Sequence, residues 1–418
     1  MAEAIITPQA EVPKSKPQTQ AGDETSLITG SEAIAVACKL ADVDVITAYP
    51  IRPYDTVMQY VAKLVSNGEM DCEYIVAEGE HSQFEIVKHA SACGARVFTG
   101  SSGVGWMYAM ECLTVTPALR IPMIAMVGNR ALDDPGAFGV EHNDALAVRD
   151  LGWQLVWVDS AQEALDTALI AYRVAEDRRI FLPVAISCDG AFLTHSQGIV
   201  KIPSQAKVDA FLPRYDRKDL LLHPDNPITV APQANEDWLM EIRRQTAAAM
   251  ERSAGVIREA YADFERIFGR KYGNPFFEEY MTDDADVVLV GMGTLSNPVR
   301  VAIRQMREEG KKVGFVRLRW FRPFPAEELA KTLSRFKAVG VIDRDFSLGA
   351  PFKSGVVATE VRASLYTGLA SHPPVIGFIC GLGGREVTLP DVRKMTENVF
   401  AAAAGKPQPS TQWIGLRE

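Results

Sequence analysis

Four short segments carry side chains able to do chemistry: Tyr49-Pro50-Ile51-Arg52-Pro53, Glu78-Gly79-Glu80-His81, Thr99 to Gly105, and Gly128-Asn129-Arg130-Ala131-Leu132-Asp133-Asp134. In the first, two prolines fix the backbone around one cation, so Arg52 is held on a stiff turn. The second puts carboxylates at the start of a helix. The third, Thr99-Gly100-Ser101-Ser102-Gly103-Val104-Gly105, is built from small residues and lets a ligand approach the main chain closely. The fourth ends an apolar run with Arg130 beside two acids. Each also has a plain structural reading. Arg52 can pair with a carboxylate across a subunit interface, and Glu80 suits a first helical turn because of the helix dipole alone. The Gly/Ser loop can be an ordinary turn, Arg130 can pair with Asp133 or Asp134 on the surface, and His81 and His89 can be simple helix residues.

The elements around these segments decide whether they meet. From Ser31 to about Ser196, short apolar strands alternate with amphipathic helices. Strands are predicted at Val43–Tyr49, Cys72–Ala77, Ala95–Thr99, Ile121–Val127, Trp153–Val158 and Phe181–Ser187. This alternation predicts an α/β fold with a parallel sheet covered on both faces. All four segments then follow predicted strands, where open parallel sheets place their ligands. A second α/β unit begins near Asp286, with strands at Val287–Val290, Lys312–Arg317, Ala338–Ile342 and Val375–Ile379. Between the units lies a Pro-rich stretch and one long helix, Glu236–Phe268, with no apolar strand. The expected organisation is a disordered tail over 1–28, a first domain over 29–200, a connector over 201–284 and a second domain over 285–418.

Composition narrows the function classes. The chain has 418 residues, 47% of them apolar, enough for two or three cores. Its 44 basic and 53 acidic residues leave a net charge of −9 with no basic block, which argues against nucleic acid. The apolar runs are strand-length, so no membrane span is expected. The start of the chain lacks a secretory apolar stretch, so the expected location is the cytoplasm. The 6 cysteines show no C-x-x-C spacing, so neither a metal site nor an iron–sulfur cluster is expected on this chain. Gly291-Met292-Gly293 follows a strand, but Ser296 replaces the third glycine of a dinucleotide fingerprint, and no acid closes the next strand.

Taken in order, the segments resemble the α subunit of the 2-oxoacid:ferredoxin oxidoreductase family, thiamine diphosphate enzymes that include pyruvate:ferredoxin oxidoreductase. The resemblance rests on Tyr49 to Pro53, Glu80-His81-Ser82, Thr99 to Gly103, Asn129 to Leu132, and Arg149-Asp150-Leu151-Gly152-Trp153. It continues through Leu182-Pro183, Asp189-Gly190-Ala191-Phe192, Trp320, Arg322-Pro323-Phe324-Pro325, Asp343-Arg344 and Gly381-Leu382-Gly383-Gly384-Arg385. It implies a pyrimidine-binding thiamine diphosphate domain followed by a transketolase C-terminal-like α/β domain. It also implies a β subunit carrying the cofactor's diphosphate, its magnesium and a 4Fe-4S cluster, a further ferredoxin-like cluster subunit, ferredoxin as acceptor, and a dimer of heterotrimers. By that resemblance, half an active site is expected on this chain.

Within that resemblance, Glu80 aligns with the glutamate that hydrogen-bonds the cofactor's aminopyrimidine, favouring the imino tautomer that activates the thiazolium carbon. Pro50, Ser101 and Ser102 join it as cofactor contacts. Arg130 aligns with the arginine that holds the substrate carboxylate, a forked donor suited to that anion, with Ile51 lining the pocket. The departure is Arg52, where members acting on pyruvate carry threonine. A second guanidinium suits a compact dianion, of which oxalate is the smallest, and offsets charge as the adduct forms. The variant turn thus resembles the oxalate-oxidising members of the family. The expected reaction takes oxalate to two carbon dioxide molecules and passes two electrons through the partner's clusters to ferredoxin, without coenzyme A. One alternative is a pyruvate or other 2-oxoacid enzyme making acyl-coenzyme A, with Arg52 serving an interface. Another is a non-catalytic scaffold. The loop carrying Asp133, Asp134 and Phe138 is expected to be mobile and able to turn an acid toward the pocket, with a static solvated loop as the alternative.

Overall fold

The structure is a computed structural model that describes residues 22–132, 135–217 and 221–417. In chain order, β1 (Glu24–Thr29) leads into α1 (Gly30–Leu40), then β2 (Val45–Ala48), α2 (Asp55–Ser66), β3 (Glu73–Val76), α3 (Glu80–Ala92) and β4 (Val97–Ser101). Next come α4 (Gly103–Tyr108), α5 (Met110–Ala118), β5 (Ile124–Asn129), the single turn α6 (Asn143–Leu146), β6 (Gln154–Val158), α7 (Ala161–Ala175) and β7 (Val184–Asp189). Sequence dictates the helix starts. Thr29 caps α1 in a reciprocal box with Glu32, and Ser160 caps α7 by accepting from the Glu163 amide.

The first sheet has seven strands in the order β12-β6-β7-β5-β4-β2-β3, where β12 is Trp320–Arg322. Every pairing within β6 to β3 is parallel. The strands β4, β5, β6 and β7 are buried along their whole length, as continuous apolar runs between two helical layers must be. The chain runs from β2 outward to β3 and then back across β2 to β4. That reversal opens a crevice at the carboxyl ends of β2 and β4.

After β8 (Gln197–Ile202), α8 (Gln205–Phe211) and the long α9 (Glu236–Phe268) form the connector. The chain then continues through β9 (Phe277–Tyr280), β10 (Val287–Met292), α10 (Ser296–Glu308), β11 (Val313–Leu318), β12, α11 (Ala326–Leu333) and β13 (Ala338–Asp343). It closes with α12 (Val356–Gly368), β14 (Val375–Ile379), α13 (Leu389–Ala403) and β15 (Thr411–Trp413). The second sheet has six strands in the order β15-β14-β13-β10-β11-β9, parallel except for β9. Two buried ionic clusters clamp it to the first unit. In one, Arg317 and Arg319 grip Glu163. In the other, Asp189 accepts from Thr294 and Arg344 while facing His142 Nε2 at 2.8 Å.

Three expectations need correction. The tail predicted over 1–28 ends earlier, because Glu24–Thr29 is β1, paired antiparallel with β8; residues 1–21 lie outside the described residues. Its polar sequence gives no local strand signal, and its pairing partner is distant in the chain. The connector is not strandless up to 284: Phe277–Tyr280 forms β9 against β11. Finally, β12 belongs by sequence to the second unit yet completes the sheet of the first, antiparallel to β6.

Candidate active site

The crevice between β2 and β4 brings the segments together through α4. A Cβ on Gly105 would overlap the Glu80 carboxylate and come within 2.7 Å of Ile51 Cδ1. Two residues earlier, a Cβ on Gly103 would lie 3.4 Å from Arg130 Cδ, at φ +50°. The small residues of this loop therefore let one short helix touch both the Glu80 carboxylate and the Arg130 side chain. On the far side, a Cβ on Gly128 would meet Ser102 Oγ at 2.8 Å and Pro53 Cγ at 3.0 Å, so the turn after β2 joins the same cluster.

Glu80 opens α3 and is 6% exposed. Among the described residues its carboxylate has no hydrogen-bond or ion-pair partner. The residue is thus largely covered while its carboxylate is left for a ligand to engage. Ser101 Oγ and Ser102 Oγ are likewise buried without a hydrogen-bond partner among the described residues. The first turn of α3 is held from below: Gln83 donates to Thr99 Oγ1 at 2.6 Å and to the Gly100 carbonyl at 2.5 Å, and Thr47 donates to the Gln83 carbonyl at 2.8 Å.

Arg130 is buried, and its guanidinium is held by main-chain carbonyls, Ala137 at 3.3 Å and Arg52 at 3.3 Å. The Phe138 ring lies over it, 4.8 Å from Cζ to the ring centroid, with the ring's outer face exposed. Arg52 follows Ile51 in the turn and precedes Pro53 through a cis peptide. Its side chain is 76% exposed and reaches Asp55 at 3.7 Å. The structure thus brings residue 52 to Arg130 through its carbonyl, while the Arg52 guanidinium lies on the surface. Pro50 is exposed beside the half-buried Ile51. Asp133 and Asp134 lie outside the described residues.

Sequence reading missed Asp144, at the start of α6. It is fully buried and accepts from the Arg130 amide, the Gly103 amide, the Ala145 amide and Asn129 Nδ2. Nothing in the local pattern distinguishes it from an ordinary acid near a helix start. Sequence reading also expected no metal-ligand cluster. Among the described residues, His81, Glu85 and Cys112 place ligand atoms within 4.8 Å of one another. These groups serve each other and their neighbours: Glu85 accepts from Lys88 and Cys112, and His81 faces Glu111 at 3.0 Å. All six cysteines are free thiols, and no helix among the described residues is long and apolar enough to cross a membrane.

Comparison with known proteins finds two family matches along the chain. Residues 36–262 match the family described as "Pyruvate flavodoxin/ferredoxin oxidoreductase, thiamine diP-bdg", and residues 285–392 match "Pyruvate:ferredoxin oxidoreductase core domain II". The chain is 41% identical to pyruvate synthase subunit PorA of Methanocaldococcus jannaschii, over 94% of this chain and 99% of that protein. It is 34% identical to the α subunit of NADH-dependent phenylglyoxylate dehydrogenase of Aromatoleum evansii, over 94% of each chain. Among solved structures, the 2-oxoglutarate:ferredoxin oxidoreductase of Magnetococcus marinus superposes with a TM-score of 0.65 at 18% identity. That likeness covers 89% of this chain and 65% of that one, and concerns the fold.

Proposed function

The chain belongs to the 2-oxoacid:ferredoxin oxidoreductase family as an α-type subunit, and from that premise we propose that it supplies half of a thiamine diphosphate site acting on a small 2-oxoacid. The observation that carries this reading is the Glu80 carboxylate, which has no hydrogen-bond or ion-pair partner among the described residues and is faced by Gly105. A carboxylate in that state suits a ring nitrogen able to share a proton with it. Ser101 and Ser102, at the end of β4 and the start of α4, hold hydroxyls without a partner among the described residues, and Ile51 and Pro50 offer apolar surface to the ring. Thiamine diphosphate, when bound, supplies a carbon nucleophile that accepts the electrons left by decarboxylation. Glu80 would hold the pyrimidine through its ring nitrogen and so favour the tautomer that can accept a proton. Arg130 receives the substrate carboxylate on a guanidinium already oriented by two carbonyls, so little reordering accompanies binding. Phe138 covers that guanidinium and keeps water from one of its faces.

The diphosphate, magnesium and iron–sulfur clusters belong in this proposal to partner subunits, with ferredoxin as final acceptor. The pyruvate synthase and phenylglyoxylate relatives support a 2-oxoacid as substrate, converted with coenzyme A to an acyl thioester. Oxalate is the second reading, and one observation favours it. Arg52 stands where its main chain touches the Arg130 guanidinium, and among the described residues its own guanidinium pairs with Asp55 at 3.7 Å. A cation so placed is available to a second carboxylate. Purified complex assayed by viologen reduction with pyruvate, 2-oxoglutarate, glyoxylate and oxalate, each with and without coenzyme A, separates the readings. Pyruvate turnover that requires coenzyme A is the expected result. Oxalate turnover without coenzyme A selects the second reading, and no reduction with any acid leaves a scaffold.

A further inference from the structure

We propose that Asp144 is a positioning residue for this site, binding the Arg130 main chain and the first turn of α4 into one rigid unit. The proposal rests on the reading that Arg130 receives the substrate anion. Asp144 Oδ2 accepts from the Gly103 amide at 3.0 Å and from the Arg130 amide at 2.9 Å. Its Oδ1 accepts from Asn129 Nδ2 at 2.9 Å and from the Ala145 amide at 2.7 Å. One carboxylate oxygen thereby ties the loop after β4 to the loop after β5.

The donor inventory explains why the group is a carboxylate. Each oxygen receives two N–H donors, and no acceptor faces the side chain in these contacts. An ionised carboxylate is acceptor-only, whereas an amide of the same shape must turn its NH2 toward two N–H groups. Asparagine in place of Asp144 therefore breaks one end of the junction whichever way it is flipped. The loops so joined carry the Gly103 contact to Arg130 and, two residues on, the Gly105 contact to Glu80. A displacement of about 1 Å at such a junction is enough to cost on the order of 10²-fold in activity.

Burial pushes the Asp144 carboxyl up to about 6 against the pull of its four hydrogen bonds. Of the charged and titratable groups nearby, Arg130 on the loop after β5 binds it through its amide, and Glu141 on its own segment feels its charge.

The test uses the assembled complex with its best substrate from the acid panel. Asp144→Asn is expected to raise the substrate KM by about tenfold, and to add less than about twofold once Arg130→Ala is present, because both changes act through one contact. In the wild type, KM should rise as pH falls through about 6, where Asp144 takes up a proton; this measurement stands even where the variant fails to assemble. Arg130→Ala with an unchanged KM overturns the substrate role of Arg130. Arg130→Ala with a raised KM, beside an assembled Asp144→Asn of unchanged KM, overturns the positioning role alone. A wild-type KM that stays flat across that pH range overturns it as well.

Discussion

Arg130 Nη1 donates to the main-chain carbonyl of Arg52 across 3.3 Å, so the two arginines meet through backbone and not as a pair of side chains. Residue 52 contributes an anchoring acceptor to Arg130 whatever its side chain is. The Arg52 guanidinium, 76% exposed, is left as an adjustable charge at the edge of the crevice.

Arg52→Thr should therefore leave stability within about 0.5 kcal/mol, since an exposed pair such as Arg52–Asp55 contributes little. Its effect should appear in substrate choice. Removing one positive charge costs a dianion more than a monoanion, so the ratio of kcat/KM for oxalate to that for pyruvate should fall. Competition assays on the complex read this ratio directly, and a ratio that rises or does not move removes Arg52 from the pocket.

Glu80→Gln should slow turnover by about 10²–10⁴-fold, the range for loss of a positioned acid–base group. Thermal unfolding of the cofactor-free complex should be unchanged, because the substitution keeps the side chain's shape and breaks no hydrogen bond or ion pair among the described residues. A scaffold would show neither loss of viologen reduction nor any link between this residue and cofactor affinity.

Gly105→Ala pushes a methyl group into the Glu80 carboxylate and should weaken cofactor binding by about tenfold or more through displacement of that group. Gly255 supplies the contrast. It lies on the exposed side of α9, where an added Cβ meets nothing within 4 Å. Gly255→Ala should stabilise the chain by about 0.5–1 kcal/mol and leave turnover unaltered.

Asp189→Ala should destabilise the chain by about 3–5 kcal/mol, because it strips Arg344 of a buried partner. Burial raises the Asp189 carboxyl, but His142, Arg344 and Thr294 more than reverse that and hold it well below the usual carboxylate range. A carboxyl depressed on folding contributes stability above its unfolded pKa of about 3.9 and loses that contribution as pH falls toward its folded value. Urea midpoints measured between about pH 5 and pH 3 should thus fall more steeply in the wild type than in Asp189→Ala.

Periodicity made most of this architecture readable. Runs such as Ile121–Val127 and Phe181–Ser187 announce buried parallel strands, and α9 spans the predicted Glu236–Phe268. The family kinship and the fold expected from the ordered segments hold as well. What local pattern did not carry was long-range partnership. The strand Glu24–Thr29 reads as polar tail until Gln197–Ile202 lies beside it. Asp144 resembles any acid near a helix start until the loops after β4 and β5 converge on it. The Arg52 side chain is the converse case. Its residue type pointed to a doubly cationic niche, whereas the fold delivers its carbonyl to Arg130 and leaves its charge at the surface.

The short strand Trp320–Arg322, which the second unit lends to the edge of the first unit's sheet beside Gln154–Val158, has a consequence for handling the molecule. Protease nicking within the linker ahead of the long helix should yield fragments that co-purify. Expressed separately, the N-terminal fragment would present a bare flank at Gln154–Val158 and self-associate through it.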